Sequence, residues 1–439
     1  MKYHFVGICG VSMSALAVYL KNRGNIVQGS DIQLNTISKK LEDRGIRVFH
    51  GHHYQNVIDS DVVVYNFAID DDNEELAYAQ KQGIKIMSRA QLLGEIAKNY
   101  KHVIAVSGSH GKTTTTAMLY SCLSAAKYSP TLHIGAQFDD EDFGLGEGDY
   151  DYFITEGCEY HDSFLSLKPY IGLVLNIEPE HLDYFKTFEN EVNSYKKFID
   201  NCEYAIVDNS CNFFDNNKPN IFAKNVKLIN HRYHFDVFID GTFYMQVVLG
   251  ALGKYNINNA LMVVYACKLM GIDKKFIYQG LKNCLNVKRR FEVISRTNSL
   301  VVHDYAHHPT EIRKTIATFC ECCNNQKILV VFQPHTYSRT KTLFNEFLTA
   351  FKKADTVFLI KTYAAREKYD ATSSAFALYK KLKTSQECKY YASFNIAEKN
   401  IKKYLDKGYA VLILGAGDID ELAYSFSPKN EGEKHQTKC

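Results

Sequence analysis

The chain has 439 residues, of which 46% are hydrophobic and 23% charged, and its formal net charge is +3. This length predicts about three domains of ~150 residues each. The small net charge gives no support to nucleic acid or a membrane surface as the main partner. The N-terminus lacks a signal-peptide core, and no apolar run approaches the ~20 residues of a membrane span. We therefore expect a multidomain cytoplasmic protein that binds neither nucleic acid nor membranes.

The first hundred residues alternate short apolar runs with helical patterns. The runs are HFVGI, NIVQGS, RVFHG, DVVVYNFAI and IKIMS, and the helical patterns cover residues 13–22 and 73–82. Alternation of this kind is typical of a parallel sheet with crossover helices.

A first glycine loop, FVGICGVSMS, lies between a predicted strand and a predicted helix. Gly7 and Gly10 shape the turn, and Asp31 ends the next strand about 20 residues later, where dinucleotide-binding folds place a ribose-binding acid. Cys9 and Ser12 stand where the pattern G-x-G-x-x-G requires glycines. Three interpretations stay open here: a nicotinamide site, a turn that holds another diphosphate, and a structural turn.

A second glycine loop follows the apolar run 103–106 and reads GSHGKTTTT. A strand, a tight loop and a helix in this order direct backbone N–H groups at an anion, while Lys112 adds a positive charge and Thr113 a hydroxyl for Mg²⁺. The spacing between Gly108 and Gly111 is shorter than in the usual P-loop. We predict that the loop binds the phosphates of ATP through Gly108, Ser109, His110, Gly111, Lys112, Thr113 and Thr114.

Polar side chains follow two further predicted strands, YDYFITEG and YIGLVLNI. Glu156 ends the first strand, and Asn176 and His181 follow the second, so all three are expected at the carboxyl edge of the sheet, where ligands bind. A carboxylate and a neutral imidazole are suitable Mg²⁺ ligands beside a triphosphate. We predict a metal site formed by Thr113, Glu156 and His181; the alternative is that His181 only packs or caps.

The rest of the chain continues the alternation. Strand candidates are YAIVDN, SLVVHDYA, KILVVFQPH, TVFLIKTYA and AVLILGAGD, with helical patterns over 256–270 and 274–283. We predict domains over 1–98, 99–294 and 295–426 and a disordered polar tail over 427–439. The twelve cysteines are mostly scattered, which favours reduced thiols, and the isolated pair Cys320 and Cys323 fits a helix better than a zinc or redox site.

The motifs taken together resemble the Mur ligase family over nearly the whole chain. GSHGKTTTT is similar to that family's G-[TS]-[HN]-G-K-[TS], and GICGVSMS to its UDP-binding GIGGxGMS. TEGCEYHDSFL and NIEPEHLD resemble its metal-binding segments, GKYNINNA its adenine segment, and VKRRFE, HDYAHHPTE and FQPHTYSRT its C-terminal signatures. The chain departs from the family at Cys9, Ser12, Tyr255 and Glu180, where glycine, glycine, histidine and aspartate are usual.

The resemblance implies a three-domain α/β ligase: an N-terminal Rossmann-like UDP-binding domain, a central P-loop ATPase-type domain and a C-terminal Rossmann-like domain. It implies that ATP phosphorylates the lactyl carboxylate of UDP-N-acetylmuramate and that the amine of L-alanine attacks the acyl phosphate. ATP and Mg²⁺, expected as two ions, are the implied cofactors. We expect a monomer or a weak homodimer.

The resemblance also assigns roles to single positions. For the UDP-sugar it implies Gly7, Gly10, Ser12 and Asp31. For ATP it implies Lys112 on the phosphates, Asn256 and Asn259 at adenine, Asp304 at the ribose and Arg290 at the γ-phosphate. For the carboxylate and amine of the reactants it implies Tyr305, His307 and Arg339.

Three alternatives remain at this point. A relative that attaches a preformed tripeptide to the same sugar nucleotide has the same motifs. A catalytically altered nucleotide-binding paralogue is suggested by the changed first loop. A nicotinamide dehydrogenase is the weakest alternative, because such an enzyme has no use for the second phosphate loop.

Overall fold

The computed structural model describes residues 1–137, 143–284, 287–297, 299–323, 325–365 and 367–428. These residues form two compact units. The first unit is Met1–Ala251 with Asn256–Val287, and the second is Leu252–Tyr255 with the chain from Lys288 onward. The predicted tail lies outside the described residues from position 429. Every cysteine among the described residues is a free thiol.

The first unit opens with a five-stranded parallel sheet in the order β3-β2-β1-β4-β5, built from the five apolar runs that the sequence predicts. In the register, Lys2 lies opposite Ile26 and Tyr3 opposite Val62. The strands are Lys2–Val6 (β1), Ile26–Asp31 (β2), Arg47–His50 (β3), Val62–Tyr65 (β4) and Lys85–Ser88 (β5). The helices are Val11–Asn22 (α1), Thr36–Asp43 (α2), Glu74–Gln82 (α3) and Arg89–Ala97 (α4), with a 3₁₀ helix at Tyr54–Val57.

A second sheet, of six strands, forms the centre of the first unit in the order β11-β10-β6-β9-β7-β8. The phosphate loop leaves its strand β6, which lies between β10 and β9 and is therefore paired on both sides. The strands are His102–Ser107 (β6), Thr131–His133 (β7), Leu145–Gly146 (β8), Tyr152–Glu156 (β9), Ile171–Val174 (β10) and Tyr204–Val207 (β11). The helices are Lys112–Ala125 (α5), Leu182–Phe185 (α6) and Phe188–Asp200 (α7), with a 3₁₀ helix at Tyr160–Ser166.

A three-stranded antiparallel sheet and two helices complete the first unit. The strands are Ile221–Ile229 (β12), Arg232–Ile239 (β13) and Thr242–Val248 (β14), and the helices are Asn256–Leu269 (α8) and Lys274–Lys282 (α9). The sequence patterns described above do not predict this sheet. Its first strand is mostly exposed, so it lacks the clear apolar signal of a buried strand. The register between β12 and β13 is interrupted between Lys224 and Lys227.

The second unit has its own six-stranded sheet in the order β15-β16-β20-β17-β18-β19, parallel except for the edge strand β15. Its strands are Glu292–Ser295 (β15), Val301–Asp304 (β16), Ile328–Phe332 (β17), Thr356–Ile360 (β18), Cys388–Tyr391 (β19) and Ala410–Leu414 (β20). Its helices are Pro309–Cys322 (α10), Tyr337–Thr342 (α11), Phe344–Ala350 (α12), Ala375–Leu382 (α13), Phe394–Leu405 (α14) and Ile419–Tyr424 (α15), with a 3₁₀ helix at Ala371–Ser373.

Local sequence signals define several helix ends. Ser88 caps α4 in a capping box with Gln91, and Pro309 occupies the first turn of α10. Both arrangements satisfy or remove N–H groups that have no partner at a helix N-terminus. Gly83, at φ 68°, ends α3 in the left-handed conformation, which glycine adopts without a Cβ penalty.

One hydrophobic cluster runs through the five-stranded sheet and the central sheet of the first unit. It joins Phe5 and Leu92 with Phe153, Phe164 and Phe198. The first sheet therefore shares its larger core with the central sheet, and a smaller cluster of its own contains Val6, Val57, Val63 and Ala79. In the part of the chain that the structure describes, no helix is long and apolar enough to cross a bilayer.

Candidate active site

The phosphate loop connects β6 to α5 and is held by the segment that follows β10. Gly108 and Gly111 have φ values of 137° and 86°, a region that glycine occupies readily. Asn176 accepts a hydrogen bond from the His110 backbone N–H through Oδ1 at 2.8 Å, and its amide donates to the His110 carbonyl at 2.9 Å. The Ser109 hydroxyl accepts from the Glu178 backbone N–H at 2.8 Å. These contacts fix the loop before any ligand binds.

Lys112, the first residue of α5, forms an ion pair with the buried Glu159, and its own side chain is 17% exposed. Its Nζ lies 2.8 Å from Glu159 Oε2 and donates to the Gly108 carbonyl at 2.6 Å. Burial opposes charge on both groups, but their mutual attraction is stronger: it raises the pKa of Lys112 and, together with His181, lowers the pKa of Glu159 to about 2. Both side chains are therefore charged at neutral pH.

His181 lies on the other side of the Glu159 carboxylate. Its Nε2 is 3.4 Å from Glu159 Oε1, and its ring centre is 4.4 Å from that of Tyr160. His181 has a φ of 54°, which is unusual for a residue with a Cβ and is concentrated at functional sites. Ligand atoms of Glu159, Glu180 and His181 lie within 4.8 Å of one another.

The carboxylate next to His181 is Glu159 and differs from the one that the strand pattern suggests. The cluster contains Glu159, whereas Glu156 does not belong to it. Glu156 Oε1 instead accepts a hydrogen bond from the Gly135 N–H at 3.3 Å. The physical reason is the path of the chain after β9, which turns through a 3₁₀ helix with His161 and Asp162 in the left-handed region. That turn is absent from the strand pattern on which the prediction was based.

A further acid, Glu191 on α7, adjoins this cluster. Its side chain is fully buried, and its Oε2 accepts a hydrogen bond from the Glu180 backbone N–H at 3.1 Å. Burial, with repulsion from Glu159 and Glu180, raises the pKa of Glu191 to about 8. The sequence analysis did not predict a role for this residue.

Asn256 and Asn259, the predicted adenine residues, lie at the start of α8 next to the phosphate loop. The Asn259 amide donates to Asn256 Oδ1 at 2.8 Å, and both side chains are buried. A Cβ on Gly111 would come within 3.0 Å of the Asn259 amide. The structure thus brings these two residues to the loop that contains Lys112, Thr113 and the rest of the predicted phosphate ligands. Thr113 is buried and Thr114 half-buried in the first turn of α5.

The first glycine loop and Asp31 are also brought together. Asp31 Oδ2 accepts a hydrogen bond from the Cys9 N–H at 3.0 Å, and the Gly7 N–H donates to the Ser30 carbonyl at 2.8 Å. Gly7 has a φ of 79°. Gly10 is the N-cap of α1 without a side-chain cap, so the helix N-terminus offers backbone N–H groups to an anion.

Ser12 connects the first glycine loop to the central sheet. Its hydroxyl is 3.0 Å from His133 Nε2 and 3.3 Å from the Arg89 guanidinium, and His133 Nδ1 is 3.0 Å from the Thr155 hydroxyl. Because arginine only donates, the Ser12 hydroxyl accepts from Arg89 and donates to His133 Nε2. His133 is then neutral and donates from Nδ1. Burial, aided by Arg89, lowers its pKa to about 3.

The second unit contains the remaining predicted residues. Asp304 ends β16 and is buried; its Oδ2 accepts from the Phe291 N–H at 2.7 Å and its Oδ1 from the Ala306 N–H at 2.9 Å. Burial raises its pKa. Both carboxylate oxygens are thus engaged within the unit, an arrangement that fixes the loop after β16, and the ribose assignment stays a prediction.

Tyr305, Arg290 and His307 lie together in this unit. The Arg290 guanidinium is 5.0 Å from the centre of the Tyr305 ring, and His307 Nδ1 is 3.0 Å from the Tyr305 carbonyl. Burial is the main reason that the pKa of His307 falls to about 3. Arg339 lies on α11, where its guanidinium is 3.3 Å from His335 Nδ1.

Comparisons with known proteins agree with this architecture. Family models match in chain order: "Mur ligase family, catalytic domain" over residues 2–101, "Mur ligase middle domain" over 106–267, and "Mur ligase, glutamate ligase domain" over 289–417. The chain belongs to the Mur ligase family. Mur ligases are ATP-dependent ligases, and the three-domain α/β fold predicted from the sequence is confirmed.

Individual Mur ligases are similar over almost their full length. The chain is 39% identical to the UDP-N-acetylmuramate–L-alanine ligase of Acetivibrio thermocellus, with 96% of this chain and 95% of that protein covered. It is 38% identical to the enzyme of the same name from Clostridium beijerinckii, with 95% of each covered. The crystal structure of UDP-N-acetylmuramate–alanine ligase from Thermotoga maritima matches with a TM-score of 0.84 at 28% identity, covering 97% of this chain and 98% of that one.

Proposed function

We propose that this Mur ligase joins L-alanine to the lactyl carboxylate of UDP-N-acetylmuramate at the expense of ATP. The observation that carries the proposal is the contact between Lys112 and Glu159 at the phosphate loop, with His181 on the same carboxylate. The near-full-length similarity to enzymes of that name supports the choice of substrates.

In the proposed reaction, a carboxylate oxygen of the sugar nucleotide attacks the γ-phosphorus of ATP and ADP leaves. The alanine nitrogen then attacks the acyl carbon, loses a proton and displaces phosphate. Neither step uses a covalent enzyme intermediate, so the protein contributes orientation and charge stabilisation. We assign Lys112 and the N–H groups of the phosphate loop to the β- and γ-phosphates.

The residues of the Glu159 cluster fit a magnesium ion. They offer carboxylate oxygens and one imidazole, and the Thr113 hydroxyl is close in sequence to Lys112; oxygen donors are what Mg²⁺ prefers. We propose that Glu159, Glu180 and His181, with Thr113, hold Mg²⁺. When bound, the ion neutralises negative charge on the transferring phosphoryl group. Glu156 is not part of this proposal.

Other assignments complete the proposal. Gly7, Gly10, Ser12 and Asp31 would bind the UDP-sugar, because the loop N–H groups and the α1 N-terminus suit a diphosphate. Asn256 and Asn259 are assigned to adenine, and Asp304 to the ribose. Arg290, Tyr305, His307 and Arg339 are assigned to the γ-phosphate and the reacting groups, and Arg339 suits a carboxylate because its planar fork matches one.

The test is phosphate release by the purified chain with ATP, Mg²⁺ and UDP-N-acetylmuramate. L-alanine, glycine, L-serine and the tripeptide of cell-wall recycling are compared as acceptors. We expect L-alanine to give the largest kcat/KM. Preference for the tripeptide would instead identify a recycling ligase, and absence of turnover with every acceptor would contradict the proposed reaction.

A further inference from the structure

Phe67 and His161 form an aromatic stack to which the proposed reaction assigns no role. Their ring centres are 4.2 Å apart, and the ring planes are 12° from parallel. Phe67 follows the carboxyl end of β4, where Tyr65 meets its ring edge-on at 6.0 Å. Phe67 is nevertheless 40% exposed. Part of an aromatic surface is therefore open to a ligand.

His161 is held in place by side chains of the central sheet and its loops. It lies in the 3₁₀ helix after β9, with a φ of 52°. Its ring centre is 4.3 Å from that of Tyr160 and 4.5 Å from that of Tyr184, and the Tyr184 hydroxyl donates to Asp162 Oδ2 at 2.6 Å. The imidazole is thus a fixed support for Phe67. Left-handed backbone at a residue with a Cβ is concentrated at functional sites.

The stack lies between the two regions that are assigned to the substrate. The loop after β4 packs on the first glycine loop, since a Cβ on Gly7 would come within 3.1 Å of the side chain that precedes Phe67. On the other side of the stack, the Tyr160 ring contacts His161 at 4.3 Å and His181 at 4.4 Å. A continuous row of side chains therefore connects the first glycine loop with the proposed metal cluster.

The chemistry of the proposed substrate places its sugar ring along this row. In UDP-N-acetylmuramate the diphosphate is attached to the anomeric carbon of the sugar, and the lactyl group to another ring carbon. The diphosphate is assigned to the first glycine loop, and the lactyl carboxylate reacts beside the Glu159 cluster. A sugar held at both ends therefore passes the Phe67 ring. The C–H groups on one face of a sugar ring form an apolar surface that packs on aromatic side chains.

We propose that the stack of Phe67 and His161 is the surface on which the sugar ring of UDP-N-acetylmuramate packs. The inference rests on the proposed function, because it takes the sugar nucleotide as the ligand. Phe67 is then a specificity-determining residue, which recognises the sugar and contributes little to the recognition of UDP. By fixing the sugar ring, the stack also orients the lactyl carboxylate towards the phosphate loop.

A purely structural clamp is the competing explanation, since the stack joins the loop after β4 to the segment after β9. The two explanations differ in their predictions for UDP alone. A clamp that shapes the first glycine loop predicts that loss of the Phe67 ring weakens the binding of UDP and of the sugar nucleotide equally. A sugar-binding surface predicts that the binding of the sugar nucleotide alone is weakened.

The experiment measures the dissociation constants of the full chain for UDP-N-acetylmuramate and for UDP. Isothermal titration calorimetry is carried out with a saturating non-hydrolysable ATP analogue and Mg²⁺ and without an amino acid. For Phe67→Ala we expect about tenfold weaker binding of the sugar nucleotide, and a change of less than about twofold for UDP. Phe67→Tyr keeps the ring and should bind both nucleotides as the wild type does. Equal weakening for both nucleotides, or for neither, would overturn the proposal.

Phe243→Ala is the matched control. Phe243 is 52% exposed and contacts another aromatic ring, that of Phe238, at 5.8 Å. It lies on β14 in the antiparallel sheet. We expect this variant to bind both nucleotides with wild-type affinity, because it removes an exposed phenylalanine ring outside the proposed site.

A second variant tests directly whether the sugar lies at this position. The chain contains no tryptophan, so Phe67→Trp introduces a single indole at the stack. We expect saturating UDP-N-acetylmuramate to shift its fluorescence emission and saturating UDP to leave the emission nearly unchanged, while circular dichroism reports the folding of each variant. An emission that responds identically to both nucleotides would contradict a sugar-binding surface.

These measurements separate a failure of this inference from a failure of the proposed function. Neither of them includes an acceptor, so an error in the acceptor assigned above leaves both unaffected. A wild-type chain that binds no sugar nucleotide would contradict the proposed function and this inference together. A wild-type chain that binds it with the same affinity as Phe67→Ala would overturn this inference alone.

Discussion

Lys112 and Glu159 form a pair in which each residue needs the other. Glu159 is buried, Lys112 is half-buried, and both are charged. A buried charge that loses its partner costs more than the pair contributes. A different residue at either position would therefore affect folding as well as the proposed binding of phosphate. The same mutual dependence does not hold for exposed pairs such as Lys98 and Glu95, which lie 2.6 Å apart with side chains more than half exposed.

Replacement of Lys112 by alanine is expected to lower kcat by about a thousandfold, because one preorganised charge on the transferring phosphate is lost. It should also destabilise the first unit by about 3 kcal/mol, since Glu159 is left without its main partner. Steady-state phosphate release and urea unfolding measure the two effects. Lys98→Ala is the control and should change neither; activity retained in Lys112→Ala would refute the site assignment.

His133 makes the stability of the first unit depend on pH. Its pKa falls from an ordinary value of about 6.5 to about 3 in the folded chain, because of burial and Arg89. Because the pKa is lower in the folded chain than in the unfolded chain, protons bind preferentially to the unfolded chain when the pH falls below about 6.5. The contribution of His133 to stability is therefore fully present above that pH and is lost as the pH falls towards 3. The hydrogen-bond chain from Arg89 through Ser12 requires the same neutral form.

We expect the free energy of unfolding of the first unit to fall between pH 7 and pH 5, with His133 contributing about 2 kcal/mol of the loss. In His133→Gln this difference between the two pH values should shrink by that amount. Urea unfolding at both pH values measures it. His231→Asn, at an exposed position where φ is 59°, should leave the difference unchanged. An identical pH dependence in His133→Gln would show that His133 is protonated in the folded state.

At the scale of elements, close packing of α9 on α5 depends on Gly280. A Cβ at this position would lie 2.4 Å from the Cα atom of Cys122, a distance that no rotamer change relieves. The two helices can approach this closely only because position 280 has no side chain. This requirement opposes helix propensity, which favours alanine over glycine by about 1 kcal/mol.

Gly280→Ala is accordingly expected to destabilise the first unit by about 2 kcal/mol, in spite of the gain in propensity, since overpacking costs about 1–3 kcal/mol. Thermal or urea unfolding checks the sign. Gln279→Ala, an exposed neighbour on the same helix, should be neutral or slightly stabilising. If Gly280→Ala were as stable as the wild type, the helices would have room that the structure does not show.

The strands and the turns between them also show what could and could not be predicted from the sequence. Apolar runs predicted most of the parallel strands, because those strands are buried and uninterrupted. They did not predict β7, which has three residues, or β19, which is partly exposed. The strand end likewise indicated Glu156, but the turn through His161 and Asp162 brings Glu159 to Lys112 instead. A left-handed backbone conformation at a residue other than glycine leaves no pattern of apolar residues in the sequence, so the sequence does not predict this turn. Glu191 is one of two acids in the first turn of α7, and only tertiary packing shows which of the two is buried.

At the scale of the whole molecule, the number of compact units in the structure is smaller than the number of family models that match the chain. Three family models match it, but the structure has two compact units. The reason is the continuous hydrophobic cluster that joins Phe5 in the first sheet to Phe153 in the central sheet. The domain boundary at residue 98 stays a prediction. The hydrophobic cluster contains residues on both sides of it.

We therefore expect β1 and β6 to open together. Native-state hydrogen exchange on the full chain, in increasing urea, should bring the amides of both strands to one common opening free energy. Amides of β17 in the second unit provide the comparison and should follow a separate opening. A distinct, lower opening free energy for β1 alone would show that the first sheet unfolds independently.

The interrupted edge strand β12 bears on how the protein behaves at high concentration. Val226, Leu228 and Ile229 are exposed along it, and an exposed apolar edge can pair with the edge of another molecule. The irregularity between Lys224 and Lys227, with Asn225 at φ 54°, breaks the row of backbone donors and acceptors, and the two lysines repel a second copy. The same irregularity that weakens this small sheet therefore protects the chain from aggregation through its edge.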